Sequence, residues 1–419
     1  MEQFEKNIER AVLVGLDSPV LGEGSSDWES LEELDELLKT AGGECVASVL
    51  QKRPTPDPAT FVGEGKALEV KELAENNDAA LIVFDNDLSP SRIRNLEKLT
   101  GKTVLDRSAL ILDIFAQRAR TSEGRLQVEL AQYRYVLSKL SGMGKSMSRL
   151  GGGIGTRGPG ETQLETDRRH IRRHISRLEE EFEKIRRVRG TQRSQRVKSG
   201  IPSVAIVGYT NAGKSTLLNR LCDAGIEAND RLFDTLDPTT RKLELEDGFS
   251  ALFSDTVGFI RKLPYGLIEA FKATLEELQF ADLILHVIDL ANPNWENHVE
   301  IVENLIGELK VSETPRIRVY NKSDIAEDTP ALRGSDVCVS AKTGAGVEIL
   351  LEAVKKEVAP PLRRFVWHIP YSESSAVDLL YRDAKVENVE YTDECVLVAA
   401  VCDEKIAGRL RERGITFDS

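Results

Sequence analysis

The sequence predicts an α/β protein built from several domains, and three observations carry this prediction. The chain has 419 residues, which is too long for one ordinary domain. Short apolar runs alternate with amphipathic stretches in two separate regions, as strands and helices do in α/β folds. A glycine-rich loop, GYTNAGKST, lies between an apolar run and a helical pattern. We expect an N-terminal α/β lobe at residues 1–107, a helical hairpin with a glycine-rich loop at 108–197, a second α/β domain at 201–359 and a small α+β domain at 362–419.

Composition argues against several classes of protein. The formal net charge of −13 is unlike that of a protein that coats nucleic acid with its whole surface, although it allows a local basic element. No apolar run approaches the ~20 residues that span a bilayer, and the mixed charges of MEQFEKNIER do not resemble a signal peptide. The cysteines are scattered without metal-ligand spacing, which indicates reduced thiols in a soluble cytoplasmic protein. They are Cys45, Cys222, Cys338, Cys395 and Cys402.

In the N-terminal lobe, apolar runs predict four buried strands at Ala11–Leu16, Cys45–Leu50, Ala80–Phe84 and Thr103–Asp106. The intervening stretches ESLEELDELLKT and SPSRIRNLEKL have helical periodicity. This alternation predicts a small parallel α/β lobe. GEGK at Gly63–Lys66 lacks the length of a phosphate-binding loop, so we interpret it as a strand-to-helix turn.

Two heptad stripes follow the lobe, each a few turns long. The first is Leu126, Leu130, Tyr133, Leu137 and Leu140, and the second is Leu164, Ile171, Ile175, Leu178, Phe182 and Ile185. Between them lies the glycine-rich stretch SGMGKSMSRLGGGIGTRGPGETQ. The simplest geometry is a long antiparallel helical hairpin with a flexible loop at its tip, and loops of that length are usually functional or disordered. The pattern breaks around Gly190–Gly200, which predicts a linker.

Six apolar runs predict the strands of the second α/β domain: SVAIVG, RKLELE, SALFSD, LILHVID, RIRVYN and DVCVS. Pro360–Pro361 marks the end of this domain. Beyond it, FVWHIP and ECVLVAAVC predict strands and KIAGRLRERG predicts a helix, which together favour a small α+β C-terminal domain.

GYTNAGKST matches the GxxxxGK[ST] pattern of a phosphate-binding loop. It follows a predicted strand and precedes a predicted helix, so its backbone N–H groups can surround phosphates at the positive end of that helix. We expect Lys214 to reach the β- and γ-phosphates as a catalytic residue, and the Ser215 hydroxyl to bind Mg²⁺. The predicted nucleotide contacts are Gly208, Tyr209, Thr210, Asn211, Ala212, Gly213, Lys214, Ser215 and Thr216.

Three further motifs follow predicted strands in the order of a guanine-nucleotide site. In DTVG, Asp255 ends a predicted strand and is expected to support Mg²⁺ without binding the ion directly. Gly258 can donate its backbone N–H to the γ-phosphate as a catalytic contact. NKSD offers the Asp324 carboxylate to the N1 and N2 donors of guanine, whereas adenine presents the wrong edge. SAK, at Ser340–Lys342, follows the next predicted strand and is expected to lie over the base, to which it offers a backbone N–H. The predicted contacts are Asp255, Thr256, Val257, Gly258, Asn321, Lys322, Ser323, Asp324, Ser340, Ala341 and Lys342.

A switch segment is expected in FDTLDPTTR. We assign Thr235 as the catalytic switch residue that binds Mg²⁺ when the γ-phosphate is present, with Thr239 and Thr240 as alternatives. The stretch between Arg231 and Arg241 is expected to become ordered on GTP binding. The predicted contacts are Phe233, Asp234, Thr235, Leu236 and Asp237.

Together with GRLQVELAQ and GTRGPGETQLETDRR in the N-terminal half, these motifs resemble the HflX family of translation-factor-related GTPases. The resemblance covers nearly the whole chain and is weakest at its C-terminal end. It implies a P-loop GTPase domain that hydrolyses GTP with Mg²⁺, in a protein that binds the large ribosomal subunit. Members are implicated in separating stalled or idle ribosomes under stress, and a monomer is the default for such a factor. A ribosome-assembly GTPase and a regulatory switch with a protein effector and no RNA remain alternatives.

Phe259 follows Gly258 at the position where Ras-like GTPases carry a glutamine that orients the attacking water. One explanation is that Phe259 faces away and hydrolysis is slow until a partner completes the site. A second is that K⁺ held by Asn211, as in related potassium-dependent GTPases, neutralises developing charge, although Asn211 could equally be a loop-capping amide. A third is that Arg261 or Lys262 reaches in. We favour the first, with K⁺ as a contributor.

The second heptad helix carries a local excess of positive charge in RRHIRRHISR and RRVRGTQRSQRVK. Lys145, Arg149 and Arg157 add further cations in the glycine-rich loop. Such elements contact phosphates without reading sequence. The alternative is a solvated helix face whose arginines pair with Glu179–Glu181. With the family resemblance, we expect the hairpin and its loop to contact rRNA.

Overall fold

The structure is a computed structural model that describes residues 8–141, 159–199, 201–222, 232–233, 239–245, 249–263, 278–309, 311–326, 328–359, 363–402 and 404–418. The chain divides into two units, Met1–Val354 and Lys355–Ser419. Among the described residues, no helix combines the length and the apolar content that crossing a bilayer requires.

Four parallel strands form the sheet of the N-terminal lobe. They are β1 (Arg10–Asp17), β2 (Glu44–Lys52), β3 (Leu81–Phe84) and β4 (Thr103–Asp106). Their spatial order is β2-β1-β3-β4, which confirms the predicted parallel lobe. The strand order reverses between β1 and β3, so the carboxyl ends of these two strands flank a crevice of the kind in which open α/β sheets bind ligands.

Four helices pack around this sheet: α1 (Trp28–Ala41), α2 (Glu64–Asn76), α3 (Pro90–Thr100) and α4 (Arg107–Arg118). α1 begins where the Asp27 carboxylate accepts a hydrogen bond from the Ser30 N–H at 2.7 Å. It ends at Gly42, whose φ of 95° is left-handed and therefore suits glycine. α1 buries Leu31, Leu34, Leu37 and Leu38, so its acidic residues lie on its other faces.

The next two helices, α5 (Ser122–Ser141) and α6 (Pro159–Ser199), pack side by side. Arg168 donates to the Leu140 carbonyl at 2.8 Å, whereas the ring of Tyr133, two turns earlier on α5, packs on His174. The contacts therefore run in opposite directions along the two helices. Leu130, Ile175 and Leu178 are the buried residues between them.

α6 differs from the sequence-based expectation at both ends. It begins at Pro159, inside the stretch predicted as loop, and proline is favourable in the first turn of a helix. It also continues to Ser199, so the linker predicted around Gly190–Gly200 is wrong. A single glycine costs only about 1 kcal/mol among the arginines, glutamines and lysines that favour helix there. The rest of the predicted loop, residues 142–158 with Lys145, Arg149 and Arg157, lies outside the described residues.

A six-stranded sheet in the order β10-β9-β8-β5-β7-β6 forms the second α/β domain. β6 is antiparallel to β7, and the other pairings are parallel. The strands are β5 (Ser203–Gly208), β6 (Thr239–Glu244), β7 (Ser250–Asp255), β8 (Leu283–Asp289), β9 (Arg316–Asn321) and β10 (Val337–Cys338). The helices are α7 (Lys214–Cys222), α8 (Trp295–Glu308) and α9 (Val347–Val358). Because β5, β7, β8, β9 and β10 are parallel, the motifs that follow them meet at one edge of the sheet.

The second unit has the order strand, helix, strand, strand, helix, strand. Its elements are β11 (Arg363–Pro370), α10 (Ser375–Asp383), β12 (Lys385–Tyr391), β13 (Cys395–Cys402), α11 (Glu404–Glu412) and β14 (Thr416–Asp418). The antiparallel sheet order β12-β13-β11-β14 is that of a ferredoxin-like fold. Phe365, Trp367 and Phe417 pack with ring centroids 5.0 to 5.2 Å apart at its core. The polar sequences of α10, β12 and β14 gave no signal for these elements.

Candidate nucleotide-binding site

The phosphate-binding loop connects β5 to α7, and two of its glycines leave no room for a side chain. A Cβ atom on Gly208 would lie 2.3 Å from the Val287 carbonyl oxygen. A Cβ atom on Gly213, whose φ is 88°, would lie 2.3 Å from the amide nitrogen of Asn321. The loop therefore lies directly against β8 and against the NKSD motif, as the predicted site requires.

Lys214 is the first residue of α7, and its side chain is buried within the loop. Its ammonium group donates a hydrogen bond to the Tyr209 carbonyl at 2.9 Å. Burial lowers the pKa of Lys214 to about 8, although the nearby Asp255 carboxylate partly opposes this. The loop thus contains a desolvated cation, which a phosphate group would stabilise.

Ser215 and Asp255 lie together beside Lys214. The Ser215 hydroxyl donates to the Asp255 carboxylate at 2.7 Å, and Asp255 is completely buried at the end of β7. A hydroxyl oriented by a carboxylate is a hard oxygen ligand of the kind that Mg²⁺ prefers. The residues present therefore fit the predicted metal.

Gly258 lies directly over the loop. A Cβ atom on Gly258 would be 2.9 Å from the Lys214 ammonium nitrogen and 3.0 Å from Thr210 Cα, so only glycine fits here. Of the other residues in this motif, Thr256 is buried and its hydroxyl donates to the Ile206 carbonyl at 2.8 Å, while Val257 is also buried. The geometry leaves the Gly258 backbone next to the cation that is predicted to meet the γ-phosphate.

Phe259 points into the core. It is 2% exposed, and its backbone pairs with the loop through Thr210 N–H to Phe259 O at 2.7 Å and Phe259 N–H to Gly208 O at 3.1 Å. This is the orientation expected if Phe259 faces away from the reacting groups. Arg261 instead binds Glu29, and Lys262 binds Asp85, both in the N-terminal lobe. In this structure, therefore, the N-terminal lobe binds both cations, and Arg261 also lines the cavity that Tyr209, Thr210 and Asn211 share.

Asn321 joins three loops at the end of β9. Its amide donates to the Ala212 carbonyl at 2.8 Å, and its carbonyl oxygen accepts from the Ala341 N–H at 2.9 Å. Lys322, with a left-handed φ of 62°, donates to Asp289 at 2.6 Å. The phosphate-binding loop, NKSD and SAK are therefore held together.

Asp324 is exposed at the rim of the site, next to the half-buried Ser323. A hydrogen bond from the buried Ser340 side chain lowers the pKa of Asp324, so its carboxylate is ionised at neutral pH. Arg220 of α7 binds the carbonyls of Ala341 and Lys342 at 3.2 and 2.6 Å, which fixes the SAK backbone. The arrangement can offer a charged acceptor and backbone donors to one ligand.

The predicted switch segment is described only in part. Phe233 is buried with a φ of 56° and packs edge-on against Phe115 of α4, with ring centroids 4.6 Å apart. Asp234, Thr235, Leu236 and Asp237 lie outside the described residues. Thr239 and Thr240, the alternatives to Thr235, are on β6, and the Thr240 hydroxyl is 2.8 Å from that of Ser254. Asn211 is exposed in the loop with a φ of 60°, and Thr216 is half-buried in α7.

Sequence reasoning missed the second role of Tyr209. Its ring stacks on His298 of α8 with centroids 3.8 Å apart and planes 2° apart. Its hydroxyl accepts from the Arg261 N–H at 2.9 Å and donates to Glu33 on α1. Burial raises the pKa of Tyr209, so the hydroxyl keeps the proton that it donates. No local spacing signals a contact between residues so distant in sequence.

Comparison with known proteins identifies the family. Models described as GTP-binding GTPase N-terminal, GTP-binding GTPase Middle Region and 50S ribosome-binding GTPase match residues 28–116, 118–196 and 203–322. The GTPase HflX of Caldanaerobacter subterraneus subsp. tengcongensis is 47% identical over 411 residues, covering 98% of this chain and 95% of that protein. The GTPase HflX of Escherichia coli (strain K12) is 43% identical over 375 residues, covering 88% of each chain.

Among solved structures, a GTP-binding protein from the archaeon Sulfolobus solfataricus in complex with GDP is 23% identical. The structural match covers 84% of this chain and 99% of the archaeal chain, with a TM-score of 0.43. The sequence relatives are far more similar and span nearly the full length. The chain belongs to the HflX family of GTPases.

Proposed function

We propose that this chain is a Mg²⁺-dependent cytoplasmic GTPase that binds the large (50S) ribosomal subunit as a monomer and separates stalled or idle ribosomes under stress. The observation that carries the proposal is the convergence of four motifs at one sheet edge: Gly208–Thr216, Asp255–Gly258, Asn321–Asp324 and Ser340–Lys342. The match of residues 203–322 to a model described as 50S ribosome-binding GTPase supports the ribosomal part.

In the proposed phosphate site, Lys214 exchanges its bond to the Tyr209 carbonyl for the β- and γ-phosphates. Gly258 donates its N–H to the γ-phosphate from its position over the loop. Ser215, oriented by Asp255, would hold Mg²⁺ together with Thr235 of the switch segment Phe233–Asp237. When bound, Mg²⁺ would neutralise the negative charge that develops between the β- and γ-phosphates.

In the proposed base site, the Asp324 carboxylate accepts from N1 and N2 of guanine, and the Ser340–Lys342 backbone closes over the ring. The exposure of Asp324 and its lowered pKa support this role, because a charged acceptor is available at the rim. Asn321 serves as the bridge between loops.

We propose that the functions of the chain are distributed over four domains. These are an N-terminal lobe at 1–107, a helical hairpin at 108–197, the GTPase domain at 201–359 and a C-terminal domain at 362–419. The hairpin and its glycine-rich loop are proposed to contact rRNA. Arg172 and Arg173 on α6 support this, because both are exposed and no described acidic side chain forms an ion pair with either.

The proposed GTPase hydrolyses slowly by itself, because Phe259 is in the core and offers no group to the attacking water. A ribosomal partner is proposed to complete the site. K⁺ at Asn211 is a proposed contributor to the intrinsic rate, since the Asn211 side chain is exposed in the loop. KCl should then accelerate hydrolysis relative to NaCl in the wild type but not in Asn211→Ala, and identical rates in both salts would remove this role.

Calorimetry with guanosine and adenosine nucleotides tests the nucleotide site. Asp324→Ala removes two charge-assisted hydrogen bonds, so GTP and GDP affinity should fall about a hundredfold while weak ATP binding stays the same. Asp328→Ala, a nearby exposed carboxylate, is the matched control and should bind as the wild type does. Equal affinity for guanosine and adenosine nucleotides would refute the proposal.

Co-sedimentation with purified large subunits tests the ribosomal part. Binding with a GTP analogue and release with GDP are expected, since a switch protein discriminates between these states. Preference for immature particles would instead indicate an assembly GTPase. Failure to sediment in either state would favour a protein effector.

A further inference from the structure

Thr210, in the phosphate-binding loop, lies directly against the DTVG motif. Its backbone N–H donates to the Phe259 carbonyl at 2.7 Å. A Cβ atom on Gly258 would lie 3.0 Å from both Thr210 Cα and Thr210 Cγ2, and 2.9 Å from the Lys214 ammonium nitrogen. The Thr210 side chain, the Lys214 cation and the Gly258 backbone therefore meet where the γ-phosphate is proposed to lie.

The hydroxyl of Thr210 is buried without a hydrogen-bond partner. The residue is 6% exposed, and its Oγ1 atom makes no hydrogen bond within the described part of the chain. Burying a hydroxyl in this way is unfavourable, because the bonds that it made to water in the unfolded chain are not replaced. A valine would have nearly the same shape without this penalty. An orphaned buried group calls for an explanation, and a catalytic role is one that recurs in proteins.

The neighbouring polar side chains are already engaged elsewhere. The Ser215 hydroxyl donates to Asp255, and the Thr256 hydroxyl donates to a backbone carbonyl of β5. Phe259, at the position of the water-orienting glutamine, places its ring in the core. The Thr210 hydroxyl can still accept a hydrogen bond at this point of the site.

We propose that Thr210 is a further catalytic residue of the GTPase, whose hydroxyl accepts a hydrogen bond from the attacking water and holds the water oxygen in line with the γ-phosphate. The inference rests on the proposed function. In the reaction, the water oxygen forms a bond to the γ-phosphorus while the bond from that phosphorus to the β–γ bridging oxygen breaks. GDP leaves with the electron pair, and one proton of the water moves to an oxygen of the released phosphate. Thr210 orients the water and exchanges no proton with it.

This role agrees with a slow intrinsic rate. A neutral hydroxyl orients the water but does not neutralise the charge that develops on the leaving GDP. The proposed ribosomal partner would therefore still accelerate a reaction in which Thr210 already holds the water.

Single-turnover hydrolysis by the full chain, saturated with GTP and Mg²⁺, tests the role. Thr210→Val keeps the β-branched shape and removes the hydroxyl, so the rate should fall about tenfold, as expected for one neutral hydrogen bond lost from the transition state. Thr210→Ser keeps the hydroxyl and should recover most of this loss. In both variants the Kd for GDP and for a non-hydrolysable GTP analogue, measured by calorimetry, should stay within about twofold of the wild type, because the contact is to the water.

Stability is a second readout, which a purely structural hydroxyl would move in the opposite direction. Nucleotide-free Thr210→Val should unfold at a higher urea concentration than the wild type, because it no longer buries an unpartnered hydroxyl. Thr100→Val is the matched control, since Thr100 on α3 is 2% exposed and its hydroxyl donates to the Leu96 carbonyl at 2.8 Å. This control should unfold at a lower urea concentration and hydrolyse GTP at the wild-type rate.

Several results would overturn the role of Thr210. An unchanged rate in the valine variant, or equal losses in the valine and serine variants, would show that the hydroxyl does not act on the water. A loss of analogue affinity that accounts for the whole effect would place the hydroxyl on the γ-phosphate instead. A valine variant less stable than the wild type would give the hydroxyl a structural partner. Wild-type protein that binds no guanine nucleotide would overturn the proposed function itself.

Discussion

At the residue scale, Lys214 is the clearest case in which burial disfavours the charged form of a side chain. Its pKa is lowered to about 8 in the folded protein, against 10.5 for an ordinary lysine. Between these two pH values the unfolded chain binds more protons than the folded chain. The free energy of unfolding therefore rises with pH through this window, by about 3 kcal/mol from this group.

We predict that nucleotide-free wild type gains stability relative to Lys214→Met as the pH rises from 7.5 to 9.5. Chemical denaturation at the two pH values should show the difference between the proteins changing by about 2 kcal/mol in favour of the wild type. Over the same range GTP affinity should fall, because a neutral amine binds phosphate weakly. A difference that does not vary with pH would contradict the lowered pKa.

The residues of the site itself were largely foreseeable from the sequence. Lys214, Ser215, Asp255 and Asn321 follow strands in a fixed order, so local patterns predict that they meet. The partners of Tyr209 could not be predicted from the sequence, because its contact with Glu33 depends on how two domains pack.

At the element scale, the hairpin carries the clearest prediction about RNA. Arg172→Gln with Arg173→Gln on α6 should weaken binding to large subunits and reduce the slope of log affinity against log salt by about two, one for each lost phosphate contact. A salt series of co-sedimentation assays measures this slope. Arg363→Gln with Arg413→Gln, exposed positions in the second unit, should leave it unchanged. An unaltered slope in the α6 variant would place the RNA contact elsewhere.

Elements were predictable where apolar periodicity is strong. Short apolar runs predict the buried strands β1, β5, β8 and β9, and the structure has strands at all four positions. α6 extends beyond its predicted end because helix propensity continues after the apolar stripe stops. Short or polar strands such as β12 are stabilised by their neighbours in the sheet, which local sequence does not reveal.

At the scale of the whole molecule, the proposed slow GTPase depends on a partner. Multiple-turnover hydrolysis should increase at least a hundredfold when purified large subunits are added, since completing a GTPase site can raise the rate by ~10³–10⁵. Small subunits at the same concentration are the control and should have little effect. Equal turnover with and without large subunits would show that the free chain already holds everything that hydrolysis requires.

The separate positions of Asn321 and Asp324 have a practical consequence. Asn321 is buried and ties the loops together, whereas Asp324 stands at the rim. If Asp324 accepts hydrogen bonds from guanine as proposed, replacing it with asparagine would reverse part of the hydrogen-bonding polarity offered to the purine. Xanthine, which has an oxygen where guanine has its amino group, would then be the better match. Such a protein could be switched by xanthosine triphosphate inside a cell whose other GTPases ignore that nucleotide.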